Sequence, residues 1–191
     1  MASRRYNQVG EVRELELCAD GAELPGYRVV VAAASVGPIV AAAGGFLCDR
    51  AREGWTVSVL LAGSCDVRPL AILGVSDHRV VDEREDLGSI ISGLPRETTV
   101  MIGADLLGAD ARARDGLGEF AQSAYGAVRV WGRPPEAEIG TGLEPDPYEL
   151  SPAAIAFKTH ALRAAGTAGM VEPVEALYRV RPDTYRRFYT V

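Results

Sequence analysis

Histidine occurs only twice in this chain, and that scarcity limits the chemistry open to it. His78 follows Asp77 at the start of a charged stretch, and His160 sits between Lys158 and Arg163 in a helical pattern, where it is expected to face solvent. A zinc site would want three converging ligands, and the sequence offers no such spacing, so no metal or other cofactor is expected. Cysteine is sparse as well. Cys18, Cys48 and Cys65 are odd in number and lack CxxC spacing, which fits reduced thiols of a cytoplasmic protein and not a disulfide framework or zinc ribbon. A basic surface is also missing. With a net charge of -6, the chain has little with which to neutralise phosphates, so no nucleic-acid partner is expected.

The stretch from Met1 to Gly26 has no apolar core of the kind a secretory leader carries. Val29 to Leu47 is uncharged and about as long as a membrane span, but it is mostly weakly apolar Ala and Gly, and Gly37-Pro38 breaks it. It reads instead as a buried strand over Val29 to Ala34, a turn at Ser35-Val36-Gly37-Pro38, and a helix to about Glu53. No membrane association is expected.

What is present fits one α/β domain over residues 1–191, Rossmann-like and three-layered, with a mainly parallel sheet and helices on both faces. A hydrophobic fraction of 48% supplies a core for it. Further strands are expected at Thr56 to Ala62, Thr98 to Ile102 and Ala127 to Trp131, with helices at Arg68 to Leu73, Leu87 to Leu94 and Asp110 to Tyr125. Ser151-Pro152 starts a helix that runs to about Ala165. Val75 to Asp86 reads as a polar surface loop. Residues 1–26 read as a leader with a short edge strand, 132–150 as a Pro/Gly-rich flap, and 171–191 as a tail that docks its aromatics on the body.

The corner where the first strand meets the first helix is the ligand-facing end of such a sheet. Here it presents one hydroxyl, Ser35, and backbone amides. Ser35 lacks the glycine-flanked pattern of a nucleophile, and helix capping is its plainer role. Polar groups available to a cleft are Asp77, His78, Asp105, Asp110 and Arg133. Of these Asp77, His78 and Asp110 are the candidates for catalysis, although Asp105 or Asp110 equally suits a helix cap. Trp131 and Arg133, at the end of the fourth expected strand, are candidates for binding a ligand.

The order of these segments resembles the LmbE-like, or PIG-L-type, zinc de-N-acetylase family. In that family the first strand ends in Pro-His-Pro-Asp-Asp-Glu, followed by an apolar run and Gly-Gly. Counting back from Gly44-Gly45, the metal-binding His falls on Ser35, the general-base Asp on Gly37 and the metal-binding Asp on Pro38. Arg68 to Gly74 is similar to an Ala-x-x-x-Leu-Gly element, and Asp77 sits where many members have Pro-Asp-Gly. Gly108 to Ala113 is similar to His-Pro-Asp-His-Arg-Ala, with Ala111 in place of the third ligand. Val130-Trp131 and the Arg-Pro-Pro after it resemble the strand and loop that bring in substrate-side residues. Phe157-Lys158-Thr-His-Ala-Leu is similar to the helix Arg-Lys-x-x-Ala-Leu, whose later His falls on Ala165 and whose Ser-Gln falls on Thr167-Ala168.

The resemblance implies the family's fold and, because hydrolysis there depends on metal-activated water, a chain without that reaction. The expectation is a pseudoenzyme scaffold that binds a sugar-like or other small molecule, or that assembles with itself or with an active homologue. The alternative is a metal-independent enzyme of specialised metabolism in the same cleft.

Overall fold

The computed structural model describes residues 27–82, 84–123, 127–134, 142–167 and 169–181. The leader and edge strand expected in 1–26, the middle of the expected flap, and Tyr185, Phe188 and Tyr189 of the tail lie outside the described residues.

Strand β1 (Arg28–Ala33) is apolar after its first residue and buried there throughout, as a strand covered on both faces must be. Its side chains alternate between two cores. Val29, Val31 and Ala33 face one, with Ile39 and Leu47 of α1 (Val36–Arg52), while Val30 and Ala32 face the other. Glycine ends α1. The N–H of Gly54 bonds the Ala51 carbonyl at 3.1 Å with φ at 85°, a conformation that costs other residues strain, and the chain turns into β2 (Thr56–Leu61). Helix α2 (Arg68–Ile72), with Pro69 in its first turn, leads to β3 (Asp77–Val80). That strand corrects the expected loop: only Arg79 of its four residues is even partly buried, so it carries none of the apolar alternation that marks a strand.

Helix α3 (Leu87–Ser92) begins at Asp86, whose carboxylate accepts from the N–H of Gly88 at 3.0 Å. Strand β4 (Thr99–Gly103), the short α4 (Ala104–Ala109), α5 (Ala111–Ser123) and β5 (Val128–Trp131) follow. Next come β6 (Leu143–Pro145), β7 (Tyr148–Glu149), α6 (Pro152–Ala164), β8 (Val174–Glu175) and β9 (Leu177–Val180). Seven strands form one sheet in the order β3-β2-β1-β4-β5-β9-β6. β1 to β5 run parallel, and β9 runs antiparallel to both β5 and β6. β7 and β8 pair separately.

Residues of α1, α2 and α6 share one core and those of α3, α4 and α5 the other, so the architecture is the expected mainly parallel α/β sheet with helices on both faces. Because the chain steps from β1 outward to β3 and then returns to β4, the carboxyl ends of β1 and β4 form the switch point where such sheets hold ligands. Among the described residues no helix is long and apolar enough to cross a membrane.

Candidate functional site

Ser35 stands at the switch point, half-buried and extended, as the N-cap residue of α1, but its hydroxyl makes no capping bond. Two of the next four residues turn inward. Val36 and Ile39 are 2% and 0% exposed and fill the space beneath the corner together with Ala33, Met101 and Trp131. Asp105, in the first turn of α4, and Trp131, at the end of β5, come together over Gly103. A methyl group at Gly103 would stand 3.0 Å from the Trp131 ring and still closer to the Asp105 carboxylate. Asp105 is exposed, whereas Trp131 is buried, and its indole N–H has no partner among the described residues. Arg133 lies two residues past β5 on the surface.

The other candidates lie apart from this corner. Asp77 and His78 are exposed on β3, at the sheet edge and separated from β1 by β2. They pair in register with Ser58 and Val59, and the Asp77 carboxylate accepts from the Ser58 hydroxyl. Asp110 precedes α5 and accepts from the N–H groups of Arg112 (2.9 Å) and Ala113 (3.2 Å), the geometry of a helix cap. His160 faces solvent. The structure thus brings Ser35, Asp105 and Trp131 to the carboxyl edge of the successive strands β1, β4 and β5 and leaves Asp77, His78 and Asp110 elsewhere. Among the described residues no three His, Cys, Asp or Glu side chains are grouped to hold a metal ion.

A cavity of about 370 Å³ opens between α1, α6, β8 and the turn after β5. Ala41, Ala42, Gly132, Leu162 and Val171 give it largely apolar walls; Lys158 and Glu175 are its buried charged members, and Glu172, also charged, is exposed to solvent. Lys158 Nζ lies 2.6 Å from Glu175 Oε1, and the two side chains are 5% and 2% exposed. Glu175 also reaches the backbone of α1, accepting from the N–H of Gly45 at 2.7 Å and of Phe46 at 2.9 Å. Desolvation pushes the Glu175 carboxyl above its ordinary range, and the Lys158 charge and the N–H donors pull it back only in part.

Sequence reasoning singled out neither residue as a site. The available signal was weak: Lys158 follows Ala154 and precedes Ala161 and Leu162 on one helical face, an inward position for a lysine.

A second buried cluster fixes the entry to α6. The Asp49 carboxylate accepts from the Ser151 hydroxyl at 2.5 Å, the Ser151 N–H at 3.1 Å and the Tyr148 hydroxyl at 3.2 Å, while Ser151 Oγ in turn caps the N–H of Ala154 at 3.0 Å. Burial raises the Tyr148 phenol above its usual range. Arg50 packs its guanidinium among Phe46, Trp55 and Tyr148, with ring centroids 5.0 to 5.5 Å away. These contacts bind helices to one another and leave few free groups for chemistry. Burial likewise raises the Cys48 thiol, which makes it a poor nucleophile.

No protein-family model matches the chain, and no curated protein is similar to it in sequence. Solved structures are similar in shape. A deacetylase triple mutant from the teicoplanin biosynthetic pathway matches with a TM-score of 0.53 and 18% identity, over 81% of this chain and 98% of that one. The pseudoaglycone deacetylase Dbv21 matches with a TM-score of 0.53 and 17% identity, over 82% and 98%. A conserved protein from Thermus thermophilus gives 0.50 and 16%, over 74% and 79%. At this identity the likeness is one of fold: the chain has the α/β architecture found in these deacetylases.

Proposed function

We propose that this chain is a member of the LmbE-like, PIG-L-type family that has given up zinc-dependent amide hydrolysis and serves as a scaffold binding a small uncharged molecule. The fold it shares with known deacetylases supports the family part of the reading. The composition of the switch-point corner supports the rest and is the observation that carries it. Where the family's metal ligands and general base are expected, the chain has Ser35, Gly37, Pro38 and Ala111.

That donor set does not fit a zinc ion. It contains one hydroxyl and no imidazole, thiolate or carboxylate. Asp110, the nearest carboxylate in sequence to Ala111, has its Oδ1 committed to the start of α5. Beside the positions where polar ligands are expected, Val36 and Ile39 make the floor of the cleft part of the core, which favours retention of shape over retention of chemistry.

The decisive experiment is zinc analysis of protein incubated with excess zinc and desalted, paired with a hydrolysis assay on N-acetylglucosamine. Zinc well below one per chain and no released acetate are expected. Stoichiometric zinc with acetate release overturns the reading. Assembly with a second copy or an active homologue belongs to the same proposal, and light scattering of the chain alone and in mixture tests it. A metal-independent enzyme is the second reading, favoured by the buried Lys158–Glu175 pair beside the cavity. Acetate release that survives chelator and disappears in Lys158→Met would establish it.

A further inference from the structure

The cavity beside α1 has a definite polarity. Glu175 has committed both oxygens, Oε1 to the Gly45 N–H and to Lys158, and Oε2 to the Phe46 N–H. Lys158 has not committed all its donors. An ammonium carries three N–H groups; one is taken by Glu175, and the other two have no partner among the described residues. A side chain 5% exposed in a pocket wall thus retains unused donors facing largely apolar surroundings. The two buried charges cancel, and the third charged residue of the lining, Glu172, is exposed to solvent, so a charged ligand would bring an uncompensated charge into the buried, mostly hydrocarbon part of the site.

We propose that this cavity binds an uncharged apolar molecule through one carbonyl oxygen, a ketone, lactone, ester or amide, which accepts hydrogen bonds from the Lys158 ammonium. The proposal rests on the binding-scaffold reading above and adds the class of ligand and the group that recognises it. At about 370 Å³ the cavity suits a compact body such as an eight- to twelve-carbon ring or branched chain, near the lower end of the usual size for small-molecule sites.

Four probes of one shape separate the alternatives: cyclooctanone, its methylene isostere without the oxygen, cyclooctanecarboxylate and cyclooctylamine. Each is titrated into the nitrogen-15-labelled full chain, and the backbone amides of Ala41, Ala42 and Gly132 report occupancy of this cavity. Cyclooctanone is expected to shift them, with the methylene isostere, the carboxylate and the amine each binding about tenfold more weakly, the value of one hydrogen bond or one uncompensated charge. In Lys158→Met, measured at pH 6, the preference for the ketone over the methylene isostere is expected to vanish. Lys158→Gln, which restores N–H donors, is expected to return it. Should Lys158→Met not fold, the four-probe series on the unaltered chain decides.

Cyclooctanone that leaves the three amides unmoved at millimolar concentration overturns the proposal, as does an isostere that binds equally well. A chain free of zinc whose cavity ignores every probe loses this inference and keeps the non-hydrolytic reading. Zinc retention with acetate release removes that reading, whereas the cavity's preference for a ketone is scored by the amides alone.

Discussion

Replacing Lys158 by methionine removes a charge and leaves the volume nearly unchanged, so it isolates what the ammonium does for Glu175. The carboxylate would keep its bonds to Gly45 and Phe46 but lose its only counter-ion among the described residues, in a place where it is 2% exposed. The variant then has two courses. Holding the charge unpaired costs about 3 to 5 kcal/mol. Protonating the carboxyl costs about 1.4 kcal/mol for each pH unit above its ordinary value of 4.5, or roughly 3.4 kcal/mol at pH 7.

Because the wild-type carboxyl already titrates above 4.5, the cheaper course sets an upper bound on the loss: about 3 kcal/mol at pH 7 and about 2 kcal/mol at pH 6. Urea unfolding followed by circular dichroism, at pH 6, 7 and 8 and thus away from the pI of 5.0, measures it as a shift in midpoint at constant slope. A loss below about 1 kcal/mol at pH 7, or one that does not shrink toward pH 6, would show that the pair is not a buried ion pair and would refute this reasoning.

The remaining predictions concern the same framework. In the wild-type chain Glu175 titrates above its unfolded value of 4.5, so its contribution to stability is complete below that pH and is lost as pH rises through the folded value; against Glu175→Gln, the wild-type urea midpoint is expected to fall relative to the variant over that window. Gly116→Ala drives a methyl group into the Gly88 carbonyl, where α5 crosses α3 backbone to backbone. Since no side chain can yield, a loss of about 3 kcal/mol in thermal or urea unfolding is expected. Ser151→Ala removes both the cap on Ala154 and one donor to buried Asp49, and about 2 kcal/mol of unfolding free energy is expected to go with it; a loss below about 0.5 kcal/mol would show that this cap and network do not hold α6.

The sheet's centre could be read from the chain because its strands are covered on both faces, so that Val29 to Ala34 and Thr56 to Ala62 stand out as apolar runs. Strand β3 could not. Its pairing depends on the backbone of β2, and Asp77-His78-Arg79-Val80 bears no mark of an interior. Leu143–Pro145, within the stretch read as flap, is a strand only because β9 returns antiparallel beside it.

The site shows the same division. Ser35 follows β1 and Trp131 ends β5, and strand order places both on one edge of the sheet with only β4 between. Nothing local reveals that Asp110 would be spent on α5, or that Asp77 would sit on an outer edge. Lys158 and Glu175 were least legible of all. Seventeen positions separate them, and the acid lies in a strand of two residues.

The reach of Glu175 has a consequence for how the molecule is made. The carboxylate that grips the middle of α1 is encoded 130 residues after Gly45, so a growing polypeptide exposes its first helix to the cell long before the clasp for that helix leaves the ribosome. Until then the early strands can collapse on α1 but cannot fasten it through Glu175, which leaves the partly made chain open to misassembly. The segment that carries Glu175 therefore acts as a seal applied after the sheet's central strands are made, and a chain stopped before it would carry a first half that looks complete and is not closed.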